Sequence, residues 1–183
     1  MLDVSVSYNR YKFLGHEFLT WLWYLTDAEG QGEWLRSMDP EAVSLAIGNR
    51  IVLENRVGEG VETITIKGDD AGLEEGTLAL RKGAFVTEMN LVYRSGDFEW
   101  RFSVKGESLD IAGLKVPDTG AVETAEDTDG AILERVFLYE KIVSLIDRLY
   151  GTFIRLRLSE KWEKETVPKL RTWIGASERG LSE

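Results

Sequence analysis

Phe98-Glu99-Trp100-Arg101-Phe102-Ser103-Val104-Lys105 alternates strictly between large apolar and polar side chains. Successive side chains of an extended chain point to opposite faces, so Phe98, Trp100, Phe102 and Val104 share one face while Glu99, Arg101, Ser103 and Lys105 share the other. A strand of a sheet with one core face and one wet face is predicted. Immediately upstream, Ser95-Gly96-Asp97 is a hairpin signal and residues 85–94 supply the partner strand. Downstream, residues 107–116 give a fifth strand, with Gly106 marking the turn and Gly113 a bulge or bend. Further upstream, β-branched runs at 43–54 and 61–67 flank Gly58-Glu59-Gly60, the composition of a hairpin loop. A short helix is expected over 71–82, capped by Asp69-Asp70 and weakened by Gly72 and Gly76.

Helical spacing brackets this strand-rich block. Over residues 11–25, Tyr11, Leu14, Phe18, Trp21, Leu22 and Leu25 recur at three and four. Trp23 and Tyr24 lie off that stripe, so the helix is either packed between two layers or presents Trp21, Trp23 and Tyr24 to a partner. Gly30 and Gly32 break the pattern, and Asp39-Pro40-Glu41 reads as a helix cap or a tight turn. A long helix begins at 131 and carries two stripes. Ile132, Val136, Tyr139, Val143, Ile146, Tyr150 and Phe153 alternate spacings of four and three; Leu138, Ile142, Leu145, Leu149 and Leu156 run beside them. One stripe can pack on the sheet, leaving the other for another helix of the chain or for a second subunit. Residues 159–174 form the last helical segment, with Ser159 as cap, Trp162, Leu170 and Trp173 as anchors, and Pro168 as a kink or a new start. The order αββαβββαα predicts one α+β domain over 1–183. Its mostly antiparallel five-stranded sheet is packed by an aromatic N-terminal helix and two C-terminal helices. An acidic loop over 117–130 precedes the helical segment 131–175.

Composition narrows the chemistry. The 183 residues include no cysteine and one histidine, His16, which excludes disulfides, thiolate metal sites, cysteine nucleophiles and multi-histidine zinc sites. His16 follows Gly15 on a helix, and the spacing implies no serine or cysteine partner for it. Gly58-Glu59-Gly60 lacks the third glycine of a dinucleotide loop, and no parallel βαβ unit surrounds it. Asp127-Thr128-Asp129-Gly130 resembles part of a calcium loop, but that register puts Ala125 and Val136 at the first and twelfth ligand positions. No lysine has an acid two residues before it, the arrangement by which one strand face offers a metal-binding carboxylate and an ammonium to a scissile phosphate. Glu74 and Glu75 are helix neighbours about 100° apart and do not share a substrate atom. Neither a catalytic constellation, a metal site nor a cofactor is expected.

Charge leaves one binding feature. The chain carries 22 Lys and Arg against 32 Asp and Glu, a net charge of −10. Five of the acids, Asp118, Glu123, Glu126, Asp127 and Asp129, fall in the 117–130 loop. By contrast, residues 148–171 hold Arg148, Arg155, Arg157, Lys161, Lys164, Lys169 and Arg171 against three acids, with Trp162 and Trp173 interleaved. Such a helix pair is either a phosphate-gripping face or a solvated surface laced by pairs such as Glu160 with Lys164 and Glu165 with Lys169. No apolar stretch approaches the roughly 20 residues of a membrane span, and the N-terminus carries Asp3 where a signal peptide needs bases, so a cytoplasmic location is expected.

Two stretches resemble the recombination-associated RdgC family. The first is Phe13-Leu14-Gly15-His16-Glu17-Phe18-Leu19-Thr20-Trp21-Leu22-Trp23. The second runs from Arg81-Lys82-Gly83 through Val86-Thr87, Met89 and Leu91 to Phe102, Ser108-Leu109 and Leu114-Lys115. The helix over 133–149 is similar in length and pattern to the family's C-terminal helix. The likeness spans nearly the whole chain but only the C-terminal half or two thirds of a full-length member. It implies an α+β protein that binds duplex DNA without sequence preference, forms a ring-like homodimer and limits recombinase access; DNA binding would carry nucleoid association with it. Lys82 and Lys115 stand inside the matched motifs and are the DNA contacts the resemblance implies; Arg155, Arg157, Lys161, Lys164, Lys169 and Arg171 join them from the charge pattern. The alternatives are a protein-interaction scaffold docking through Trp21, Trp23 and Tyr24, and an exonuclease, since some relatives carry that label. The exonuclease would draw its carboxylates from Asp69, Asp70 and Glu88.

Overall fold

The computed structural model describes residues 12–27, 31–68, 73–118 and 125–176. It is an α+β fold: five strands, β1 (Ala42–Val57), β2 (Gly60–Lys67), β3 (Phe85–Ser95), β4 (Phe98–Lys105) and β5 (Ile111–Lys115), form one sheet ordered β2-β1-β3-β4-β5. Every neighbouring pair is antiparallel. β4 has the register its alternation dictates, for Trp100 and Val104 are fully buried and Phe102 nearly so, opposite Tyr93, Met89 and Leu91 of β3. Phe98 departs from the expectation. It pairs with Ser95 at the mouth of the hairpin, beyond the cover of the helices, and is 46% exposed. Gly58 and Gly96 take the positive φ angles (61° and 55°) that their tight turns require. Gly113, also at positive φ, sits where the pairing of β4 with β5 slips between Arg101 and Ser103, so the predicted bulge is present. β5 is shorter than 107–116 because Leu109 and Asp110 close a turn back onto Lys105.

Five helices and a π-helical turn cover the core face and the ends of the sheet. α1 (Phe13–Asp27) buries Phe18, Leu19, Leu22 and Trp23 completely and Trp21 nearly so. It is apolar almost all round because it lies between two layers, the sheet and α4 (Ala125–Arg157). Across the α1–α4 seam, Phe18 meets Tyr150 at 5.3 Å and Phe153 at 5.6 Å. An unpredicted helix, α2 (Gln31–Met38), comes next along the chain and buries Leu35. Asp39-Pro40-Glu41 is a tight turn into β1, in which Asp39 Oδ1 accepts the Glu41 N–H at 3.0 Å. α3 (Leu73–Arg81) matches the short helix expected there.

α4 starts six residues ahead of the expected helical segment, so the acidic stretch is helical from Ala125 onward. A π-helical turn (Trp162–Thr166) leads directly into α5 (Val167–Ala176), and Pro168 stands where the one passes into the other. Ser159 does not cap the π-helical turn, since its hydroxyl donates back to the Leu156 carbonyl at 2.7 Å. Tyr11, Gly30, Asp69, Asp70, Gly72, Glu123 and residues 119–122 and 124 lie outside the described residues.

One polar knot ties the layers together. The Asp39 carboxylate accepts the Tyr93 hydroxyl, the Ser95 hydroxyl at 2.9 Å and the Lys141 ammonium at 3.0 Å. Lys141 also sits over the Trp100 ring, and Trp100 Nε1 donates to the Leu138 carbonyl of α4 at 3.1 Å. No helix among the described residues is long and apolar enough to cross a membrane.

Candidate nucleic-acid interface

Several of the C-terminal cations are taken up by partners within the chain. Arg157 is held by Glu17 of α1 at 2.7 Å with its guanidinium over the Trp162 ring, and Lys164 is paired with Glu160 at 2.5 Å. Arg155 donates to Thr152 and Arg148 to the Met38 carbonyl, both on the α4 side. Lys161, Lys169 and Arg171 are exposed. The interleaved tryptophans are not stacking platforms. Trp162 is 6% exposed against Phe153, and Trp173 donates to Asp27 at 2.6 Å while meeting Trp23 and Tyr24 edge-on. The same packing overturns the first helix as a docking surface, because Trp21 and Trp23 are core residues and Tyr24 is half-buried beside Trp173.

The solvent face of the sheet sorts charge differently. The polar half of β4 places Arg101 and Lys105 outward, and cross-strand register sets Val92 and Glu88 beside them. On β1 and β2, Arg50 stands opposite Lys67. At the far edge Lys115 stands opposite Arg101. Arg94 and Arg56 bring the cations to seven, against Glu54, Glu88 and Glu99 on the strands and Glu107 and Asp110 around the same hollow as Lys105. That face is positive on a chain of net charge −10. Glu88 holds Arg50 at 2.7 Å, and Glu99 holds both Arg94 and Arg101 at 2.7 Å. Those two guanidiniums hold the Glu99 carboxyl below its usual range. Lys67, Lys105 and Lys115 are exposed and make no ion pair among the described residues. Between the charges, Asn90 donates to Asn49 at 3.2 Å and accepts from Ser103 at 2.8 Å, a hydrogen-bonded ladder that fixes the face across three strands. With strands about 4.8 Å apart, the two edges carrying Lys67 and Lys115 are separated by roughly 19 Å.

Lys82 lies elsewhere, at the rim of a cleft of about 780 Å³ between α1, the end of β1 and the C-terminal segment. Lys12 and Arg56 share that cleft with the apolar walls Phe13, Phe85, Leu170 and Trp162. His16 stacks on Phe85 at 4.6 Å; burial lowers its pKa despite the nearby carboxylates of Glu107 and Glu54. No serine among the described residues lines that cleft. Of the nuclease carboxylates, Glu88 is taken up by Arg50 while Asp69 and Asp70 are outside the described residues. Among the described residues no group of three His, Asp or Glu side chains is placed to hold a metal ion. No protein-family model matches the chain, and no curated protein sequence matches it.

The cations that sequence reasoning left unweighted, Arg50, Lys67, Arg94, Arg101 and Lys105, carried a usable signal. Arg101 and Lys105 already stand on the polar half of the strand that decides the fold, and a base on a half-buried strand can only face outward.

Proposed function

We propose that the chain is a non-catalytic, RdgC-like DNA-associated protein that contacts duplex phosphates through the solvent face of its sheet. The observation that carries this reading is the excess of cations on one sheet face, seven against five carboxylates, in a molecule whose net charge is −10. Lys67, Lys105 and Lys115 supply mobile point charges, whereas Glu99 orients Arg94 and Arg101 and leaves other guanidinium N–H groups to phosphate oxygens. No element among the described residues projects from that face into a groove, so binding is to backbone and carries no sequence preference. The acidic remainder repels the polyanion and orients the approach. Occupying duplex in this way limits access by recombination or replication enzymes, in keeping with the family resemblance.

Charge reversal separates the sheet face from the C-terminal helices. Lys105→Glu with Lys115→Glu should weaken duplex binding at low salt by roughly tenfold or more, while Lys169→Glu with Arg171→Glu should change it less than about threefold. Fluorescence anisotropy with a short labelled duplex reads both. The opposite ranking would overturn the assignment to the sheet.

A further inference from the structure

We infer that the cleft between α1 and α5 is a binding site for an amphiphilic carboxylate, a medium-chain fatty acid. Its volume is about 780 Å³, and four separate stretches of the chain ring it: the start of α1, the end of β1, the end of α3 with the loop that follows, and the π-helical turn with α5. Phe13, Leu80, Phe85, Leu170 and Ile174 supply its walls. None of these five is fully buried, so the apolar lining is open to a ligand. That size, and an apolar wall broken by a few converging polar groups, are what small-molecule sites share. A nucleic-acid backbone has no use for such a wall.

Charge complementarity sets the sign of the head group. Lys12, Arg56 and Lys82 reach the cleft from three different stretches of the chain. Among the described residues Glu17 is the only carboxylate in the lining, and Arg157 holds it at 2.7 Å. Arg56 and Lys82 make no ion pair among the described residues, while Lys12 has a 3.4 Å contact with Glu107, which lines the neighbouring hollow instead. Lys82 is placed by its backbone. Gly83 takes a positive φ of 92°, and the Gly83 and Ala84 N–H groups donate to the carbonyls of Leu80 and Ala79 at 3.0 Å, which closes α3 and fixes the rim where Lys82 stands. A carboxylate matches the guanidinium fork of Arg56, the two ammonium groups add point charges, and an acyl tail covers the wall. An uncharged lipid would leave the cations without a partner, and a tail-less anion would leave the wall bare. The inference goes beyond DNA contact, because neither Lys82 nor the apolar wall lies on the solvent face of the sheet; a chain that failed to bind duplex would still bind the amphiphile.

Calorimetric titration of the full chain with sodium dodecanoate, below its micellar range, tests it. One equivalent should bind with a Kd below about 100 µM. Decanoate should bind about fivefold more weakly, since two methylenes leave the wall. Dodecyltrimethylammonium, the same tail under a positive head, should bind at least about tenfold more weakly than dodecanoate. Lys82→Glu and Phe13→Asp should each weaken dodecanoate by about fivefold or more, whereas Lys169→Glu, exposed on α5 and outside the cleft, should leave its affinity unchanged. Lys82 is exposed and Phe13 is 45% exposed, so both cleft variants should keep the parent's melting temperature. Absence of saturable binding up to about 1 mM dodecanoate overturns the inference. So does equal affinity of the parent for the two head groups, or an affinity that neither cleft variant moves.

Discussion

Gly15→Ala should destabilise the fold by about 4 kcal/mol, far more than an alanine placed inside a helix ordinarily costs. On propensity alone the change is favourable by roughly 1 kcal/mol. Packing reverses the sign. A Cβ at Gly15 would stand 1.6 Å from the carbonyl oxygen of Gly106 and 2.6 Å from its carbon, both main-chain atoms that no rotamer change can remove. Gly106 is itself fixed, because its N–H donates to the Thr87 carbonyl of β3 at 2.7 Å. The start of α1 would have to lift off the sheet, uncovering Leu19 and the His16 stack on Phe85. Gly130→Ala in α4 is the control: nothing lies within 4 Å of its added Cβ, so it should stabilise by up to about 1 kcal/mol. Urea unfolding of both variants decides. A loss below about 1 kcal/mol for Gly15→Ala would mean that the close approach of α1 to the β4–β5 corner is wrong.

Asp39→Asn should cost about 3 kcal/mol at neutral pH, because it strips the charge from a knot that joins the β1 turn, β3 and α4. Tyr93 and Ser95 are buried and would keep a weaker acceptor, while Lys141 would lose its counter-ion. Burial by itself raises the Asp39 pKa. The hydrogen bonds from Tyr93, Lys141 and Ser95 and the Glu41 N–H overcome it and bring the carboxyl from 3.8 down to about 2. The Tyr93 hydroxyl is raised correspondingly, by burial first and by its bond to Asp39 second. A carboxyl whose folded pKa is depressed contributes stability that is complete above the unfolded value and lost as pH falls through the folded one. The parent should therefore lose about 2 kcal/mol between pH ~4 and ~2 that the Asp39→Asn variant does not lose. Parallel acid-dependence curves for the two proteins would refute the knot.

Much of the sheet is legible in the chain because its signals are local. The β4 alternation sets which residues are core, and Gly58, Gly96 and Gly113 mark two turns and a bulge by their tolerance of positive φ. What escapes reading lacks a local signal. α2 has eight residues, and among its described side chains Leu35 is fully buried with Trp34 and Met38 partly so, too few for a period to show. The first residues of α4, Ala125-Glu126-Asp127-Thr128-Asp129-Gly130, hold no large apolar side chain, so no stripe marks the helix start. Trp21 packs on Phe153 of α4, while Trp23 packs on Trp173 of α5 and against Gly76 of α3, so their burial depends on elements far away in sequence. The candidate site divides in the same way. Arg101 and Lys105 are readable from alternation on one strand. Lys115 joins them through the β4–β5 pairing, but their union with Lys67 depends on β1 inserting between β2 and β3, an order of strands that no spacing in the sequence encodes.

The salt dependence of duplex binding by the intact chain tests the phosphate-contact account most directly. Neutralisation by Lys67, Lys105 and Lys115 predicts a plot of log affinity against log salt falling with a slope near −3, steeper where the arginines also engage. Absence of binding at about 50 mM salt, or an affinity that does not move between there and about 200 mM, would contradict it.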